Sequence, residues 1–164
     1  MLVSMLVLFA AVTHAREVAR PDIPRVERAI VAGANEFRRV NGRGALASDA
    51  RLDAAAHEFA RFLAGRGKLG HEADGRNPGQ RIEAHGYRYC MYAENLAYQY
   101  HSAGFETAKL AALLLEGWRE SPGHRANLLK KDAVHTGVGV ASTPGTSHFY
   151  AVQLFGRPRA GGRC

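Results

Sequence analysis

Charge is missing from the beginning of this chain of 164 residues: MLVSMLVLFAAVTHA contains no Asp, Glu, Lys or Arg. Its apolar run from Leu2 to Val12 closes on Thr13 and Ala15, the small-residue pattern of a signal-peptidase site, so cleavage is expected after Ala15. A membrane-spanning helix needs about 20 apolar residues, and this run stops well short of that. The basic residues that usually open an export signal are also lacking, which leaves either a true start upstream of Met1 or a weak signal. Long blocks of like charge are absent, and aromatic and basic residues do not interleave as a nucleic-acid platform would require, so nucleic acid is not an expected partner. No internal repeat or low-complexity tract is present.

Standard catalytic signatures are missing too. His57-Glu58 begins like a zinc-protease helix, but position 61 is Arg where a second His would have to stand one turn on. His71-Glu72 fails in the same way, and there is no G-x-S-x-G elbow, phosphate-binding glycine loop or dinucleotide fingerprint. Cysteine is scarce: only Cys90 and Cys164 occur. In an exported chain an even pair favours a disulfide, which would pin the C-terminal tail and contribute roughly 4 kcal/mol by chain entropy. A catalytic Cys90 and an intermolecular bond through Cys164 are the alternatives.

What is present is an ordinary globular composition, 46% hydrophobic and 23% charged, with 22 Lys and Arg against 15 Asp and Glu. The formal charge of +7 belongs wholly to the part after the signal, where it favours anionic partners such as envelope glycolipids or phospholipid headgroups. Contact with a membrane surface fits that charge; scattered solvated arginines are the plainer reading. The expected location is secreted or periplasmic.

Val26, Ile30, Ala34 and Phe37 recur at helical spacing, with Arg38 and Arg39 off that stripe. Ser48 or Asp49 caps a second helix through Leu52, Ala55, Ala56, Phe59 and Leu63, stopped by Gly65 and Gly67. Gly70 to Gly86 reads as loop with one turn around Gln80 to Ala84. A short strand at Tyr87, Tyr89 and Met91 precedes AENLAY. A third helix, N-capped by Ser102, carries Ala108, Ala111, Leu115 and Trp118 and ends at Ser121-Pro122-Gly123. Val134 to Ala141 and His148 to Phe155 form a hairpin. Helices first and strands last predict an α+β layered domain.

Candidate chemistry is distributed over His71 in a glycine-flanked loop, Glu94 beside Asn95, and His124 after the Pro-Gly break. Two imidazoles and a carboxylate make an incomplete shell for a divalent ion, typically Zn²⁺, with water in the open position. Spacing alone does not bring them together, and each His taken singly reads as a structural residue at a turn or helix end.

The order L-x-H before a D-G loop, then A-E-N-L-A, then W-x-x-S-P-G-H-R-x-N-L-L, then T-G-V-G-V and F-Y-A-V-Q-L-F-G resembles the bacterial branch of the CAP superfamily. That superfamily includes the cysteine-rich secretory proteins, insect venom antigens and plant pathogenesis-related proteins. The resemblance runs from about Ala34 to Gly156 and implies a three-layer α-β-α sandwich with a small, mainly antiparallel sheet. The chain then divides into a signal peptide (1–15), a linker and helix start (16–33), the CAP domain (34–156) and a tail (157–164).

The resemblance also implies a cleft lined by His71, Glu94 and His124, with Ser121 where many eukaryotic members carry a second Glu; Asn95 is expected beside it. Glu120 would point about 100° away around a helix and does not replace that residue. Asn95 and Asn127 are expected to satisfy backbone groups and Arg125 to pair with an acid, while Tyr98, Tyr100, Phe149 and Tyr150 read as core or sheet-face residues, with cleft lining the alternative. Without a second carboxylate as general base, the leading expectation is a binding domain for a lipid, sterol-like molecule or envelope component, with possible Zn²⁺. A zinc-dependent hydrolase or peptidase and an interaction protein using its basic surface are the alternatives.

Overall fold

The computed structural model describes residues 20–159, 161, 163 and 164; the expected signal peptide lies outside them. In chain order the elements are α1 (Ile23–Val40), β1 (Ala47–Ser48), α2 (Ala50–Arg66), α3 (Pro78–Ala84), β2 (Tyr89–Tyr100), α4 (Thr107–Glu120), α5 (Pro122–Leu128), β3 (His135–Ser142) and β4 (His148–Pro158). The sheet runs β1-β3-β4-β2, antiparallel except where β1 pairs with β3. Apolar residues cover both faces. Val138, Val140, Phe149, Ala151 and Phe155 pack with α1, α4 and α5. Leu96, Tyr150, Val152 and Leu154 pack with α2 and α3. This is an α-β-α sandwich.

Local chemistry explains where the elements start and stop. Asp22 caps α1 by accepting from the Arg25 amide at 3.1 Å, and Asp49 caps α2 by accepting from Arg51 at 3.0 Å. Gly67 ends α2 with φ +65°, a left-handed conformation that a side chain would strain. Asn77 and Gln80 form a reciprocal capping box on α3. The bond Cys90–Cys164 is formed, with Cα atoms 5.2 Å apart, and ties the tail to the start of β2.

Four sequence readings need correction. AENLAY does not follow the strand but lies within it, because β2 is 12 residues long. The helix containing Trp118 is not capped by Ser102: Gly104, at φ +71°, closes a turn that buries Phe105, and the helix begins only at Thr107. Ser121-Pro122-Gly123 does not merely end that helix; Pro122, pre-set for a first helical turn, opens α5. Arg38 is buried rather than off the stripe. Its guanidinium donates to the carbonyls of Gly44, Leu128, Lys130 and Ala133, which compensates the burial of its charge.

Both margins of the sheet are capped by side chains. On β2, the outward carbonyls of Glu94 and Leu96 accept from Asn127 Nδ2 (3.2 Å) and Trp118 Nε1 (3.0 Å). On β3, beyond its short pairing with β1, the amides of Val138 and Val140 donate to Asp53 (3.0 Å) and Glu27 (2.9 Å). Unpaired strand groups are thereby satisfied.

Candidate functional site at the β2 margin

Glu94 sits mid-strand on β2 and shares its face with Leu96, so its carboxylate points into the layer occupied by α2 and α3. Its side chain is 1% exposed. A buried carboxylate demands a cation, and Arg81 of α3 provides it. The guanidinium donates to both oxygens, at 3.0 and 2.8 Å. It also donates to Asp74 Oδ1 (2.9 Å) and to the carbonyls of His71 (2.8 Å) and Arg76 (2.6 Å), while lying over the Phe59 ring. One arginine therefore neutralises Glu94 and shapes the loop that carries His71. Burial pushes the Asp74 carboxyl up, but hydrogen bonding from the Arg76 amide and the charges of Arg81 and Arg76 outweigh it and hold the group below its ordinary range.

Sequence reasoning missed Arg81. The available signal was Glu94 itself, a charged residue in an apolar strand, which calls for a partner without saying which of 22 Lys and Arg supplies it.

His71 Nδ1 lies 2.8 Å from Glu94 Oε1. That hydrogen bond raises the His71 pKa above its ordinary value, against partial burial. His124 enters from the opposite face of β2, on the first turn of α5. Asn95, fully buried, fixes its backbone: Nδ2 donates to the His124 carbonyl (3.1 Å), and Oδ1 accepts from Asn127 (2.9 Å). Burial lowers the His124 pKa, and the nearby His71 charge lowers it further. The two imidazoles are near enough for their charges to interact, one biased toward the cation and the other toward the neutral ring.

Ser121 is the hinge between α4 and α5. Its backbone is extended (φ −78°, ψ 120°), as the following Pro122 requires, and its carbonyl accepts from the Arg125 amide at 2.8 Å. Glu120 is exposed. Arg125, expected to pair with an acid, instead lies over the Phe37 ring at 5.4 Å. Among the described residues, no group of three or more His, Cys, Asp or Glu converges as a metal-ligating cluster.

The opposite shifts of the imidazoles have opposite signs in stability. His71, raised, stabilises the fold fully below its unfolded value of about 6.5, and that contribution is lost as pH climbs through the folded value. His124, lowered, costs stability on the other side, as pH falls below about 6.5 toward its folded value. In His71→Gln the His124 pKa should rise, yet stay below its ordinary value because burial persists. An NMR titration of the ring protons checks this, and an unchanged His124 would mean that the rings do not communicate.

An α-β-α sandwich with AENLA in β2 and SPGHRANL at the junction of α4 and α5 defines a CAP-type domain. The chain belongs to the cysteine-rich secretory protein family, whose model matches residues 31–155. An outer surface protein from Borrelia burgdorferi superposes with a TM-score of 0.70 at 23% identity, over 80% of this chain and 92% of that one. An extracellular protein containing a SCP domain from Bacillus anthracis str. Ames gives 0.68 at 24% identity, over 82% of this chain and 41% of that one, so this chain spans less than half of its length. NaASP2, solved with Zn²⁺, gives 0.58 at 16% identity over 84% of each chain. These likenesses establish the fold. A search among curated protein sequences finds no match.

Proposed function

We propose that this chain is an extracellular binding domain whose ligand seat is the His71/His124 pair, and that it is not a hydrolase. The observation that carries this reading is the engagement of Glu94: both oxygens accept from Arg81 and one also meets His71. A general base needs a carboxylate free to take a proton from water, and a buried carboxylate held by a guanidinium is poorly placed for that.

Zn²⁺ fits this seat only as a partial shell. The His124 ring is biased toward its neutral, ligating form, and His71 keeps Nε2 free because Nδ1 is committed to Glu94. Glu94 then serves as the carboxylate that orients a ligating imidazole, a different role from the direct ligand expected from the sequence. With two protein donors, zinc would supply a cationic acceptor for an anionic group, such as an envelope-lipid phosphate, and this is the partner we propose. Extracellular location accords with the family and with the described extracellular relative.

Zinc titration by calorimetry tests the reading. One site per chain is expected, abolished in His124→Ala and in His71→Ala, and weakened about 10- to 100-fold in Glu94→Gln. Uptake should fall as pH drops through the raised His71 value, since the proton competes with the metal. Undiminished zinc binding in His124→Ala would overturn the proposal, as would zinc-dependent peptide or ester hydrolysis lost in that variant.

A further inference from the structure

The face of the sheet that carries Glu94 continues along β2 into Tyr98 and Tyr100, four and six residues on, past the end of α2 at Arg66. No helix covers it there. Tyr98 pairs across the strands with Tyr150, and Tyr100 with His148. The rings pack on one another: Tyr98 and Tyr150 have centroids 5.1 Å apart, and Tyr100 stacks on His148 at 4.3 Å. Tyr98 is 38% and Tyr100 52% exposed, which for large rings in a mutually ordered array is a surface feature needing an occupant.

Two clefts flank this array and share Thr146 and His148. One, of about 560 Å³, is lined by Tyr98, Tyr150, Thr143, Lys68 and Leu69 together with the shared pair. The other, of about 660 Å³, runs past Tyr100, Ser102, Ser142 and Ser147 toward the start of α1. Both volumes fall in the range of small-molecule sites, and their adjacency suits a chain longer than one ring.

The lining has a distinctive chemistry. It is rich in hydroxyls, contains no carboxylate, and carries only Lys68 and Arg20 as fixed charges, one in each cleft. The Thr143 and Thr146 hydroxyls donate to the carbonyls of Ala64 and Thr143, and the Thr146 oxygen also accepts from the His148 amide at 3.3 Å, which orients both. A hydrocarbon chain would offer no hydrogen bond to the Ser102, Ser142 and Ser147 hydroxyls of the larger cleft, and a phosphate would meet a single cation per cleft. A pyranose ring matches both components: its C–H faces are apolar and its rim carries hydroxyls that donate and accept. Equatorially linked rings keep those faces flat and the chain extended, as an aromatic platform beside paired clefts requires.

We infer that the Tyr98/Tyr100/His148 platform with its two clefts is a binding site for a β-1,4-linked oligosaccharide, separate from the His71/His124 seat. Its test uses the full chain with chitohexaose and cellohexaose as probes. In amide NMR at millimolar sugar, at least one probe should perturb residues 98–100 and 143–148 in a saturable way. Tyr100→Ala, at a half-exposed ring that leaves the fold intact, should weaken binding roughly tenfold, and Tyr100→Phe should retain most of it. His71→Gln should leave sugar binding unchanged, which separates this site from the zinc seat. The inference is overturned if neither sugar perturbs these residues, if Tyr100→Ala binds as well as the parent, or if dodecylphosphocholine micelles perturb the platform while the sugars do not.

Discussion

Arg81→Met is expected to cost about 3–5 kcal/mol of folding free energy, read as a lowered urea midpoint. This is the penalty for stranding a buried charge once its partner is removed. The side chains of Arg81 and Glu94 are 2% and 1% exposed, so water cannot replace the lost contacts without opening the layer between α3 and β2. Three further acceptors lose a donor at the same time: Asp74 and the carbonyls of His71 and Arg76. The loss should shrink as pH falls, because an unpaired buried carboxyl rises in pKa and takes up a proton that relieves its charge. Arg81→Met combined with Glu94→Leu should recover part of the stability, since replacing both members of a buried pair by apolar groups is close to neutral. Recovery stays incomplete because the two loop carbonyls still lack a donor. Arg81→Met as stable as the parent would remove the basis for describing Glu94 as held.

Gly139→Val should be comparably damaging for a different reason. A Cβ at Gly139 would collide with the Ala56–His57 peptide, and one at Gly137 with the Leu52–Asp53 peptide. These are backbone atoms in the N-terminal half of α2 and cannot step aside like the tip of a flexible side chain. The helix must lift from β3, parting from the sheet where Leu52, Ala55, Ala56 and Phe59 are buried. Overpacking costs about 1–3 kcal/mol and occasionally more; backbone contact places this variant at or above the upper end. Gly117→Ala is the contrasting control. Gly117 lies exposed within α4 with nothing near its added methyl, and the change should stabilise by roughly 0.5–1 kcal/mol through helix propensity and reduced unfolded-chain freedom. Denaturant titrations of the two variants should move in opposite directions.

The layered fold was legible because its signals are periodic. Val26, Ile30 and Ala34 mark one buried stripe of α1, Leu52 to Leu63 mark α2, and the hairpin of β3 and β4 follows from two β-rich runs around Pro144-Gly145. The errors lie where local and tertiary preferences compete. Tyr87 to Met91 alternates visibly, but the rest of β2 has buried residues on both faces at Glu94, Asn95 and Leu96, so alternation fades where the strand is most enclosed. Ser102 has good capping chemistry, yet the core takes Phe105 and delays the helix. Arg38 lies deeper than expected because its guanidinium reaches four carbonyls, while Phe37 packs partly buried against the core as its place on the stripe implied.

At the site, the grouping of His71, Glu94 and His124 was implied by the resemblance alone, since 23 and 30 residues separate them in sequence. What remained unreadable was the state of Glu94. Its character depends on Arg81, an arginine in a seven-residue helix that the sequence marks only by Asn77-Pro78 and a following turn. Asn127 and Trp118 carry roles that composition does not announce, as donors to outward carbonyls of the marginal strand, while Asn95 donates from that strand to the His124 carbonyl.

Those donors bear on how copies of this protein can associate. A sheet recruits another chain most cheaply by offering a row of free amides and carbonyls. Here Trp118 and Asn127 occupy carbonyls on one rim, while Asp53 and Glu27 occupy amides on the other. Strand addition at these positions would first require breaking those bonds, which weights association toward surfaces other than the middle of either rim.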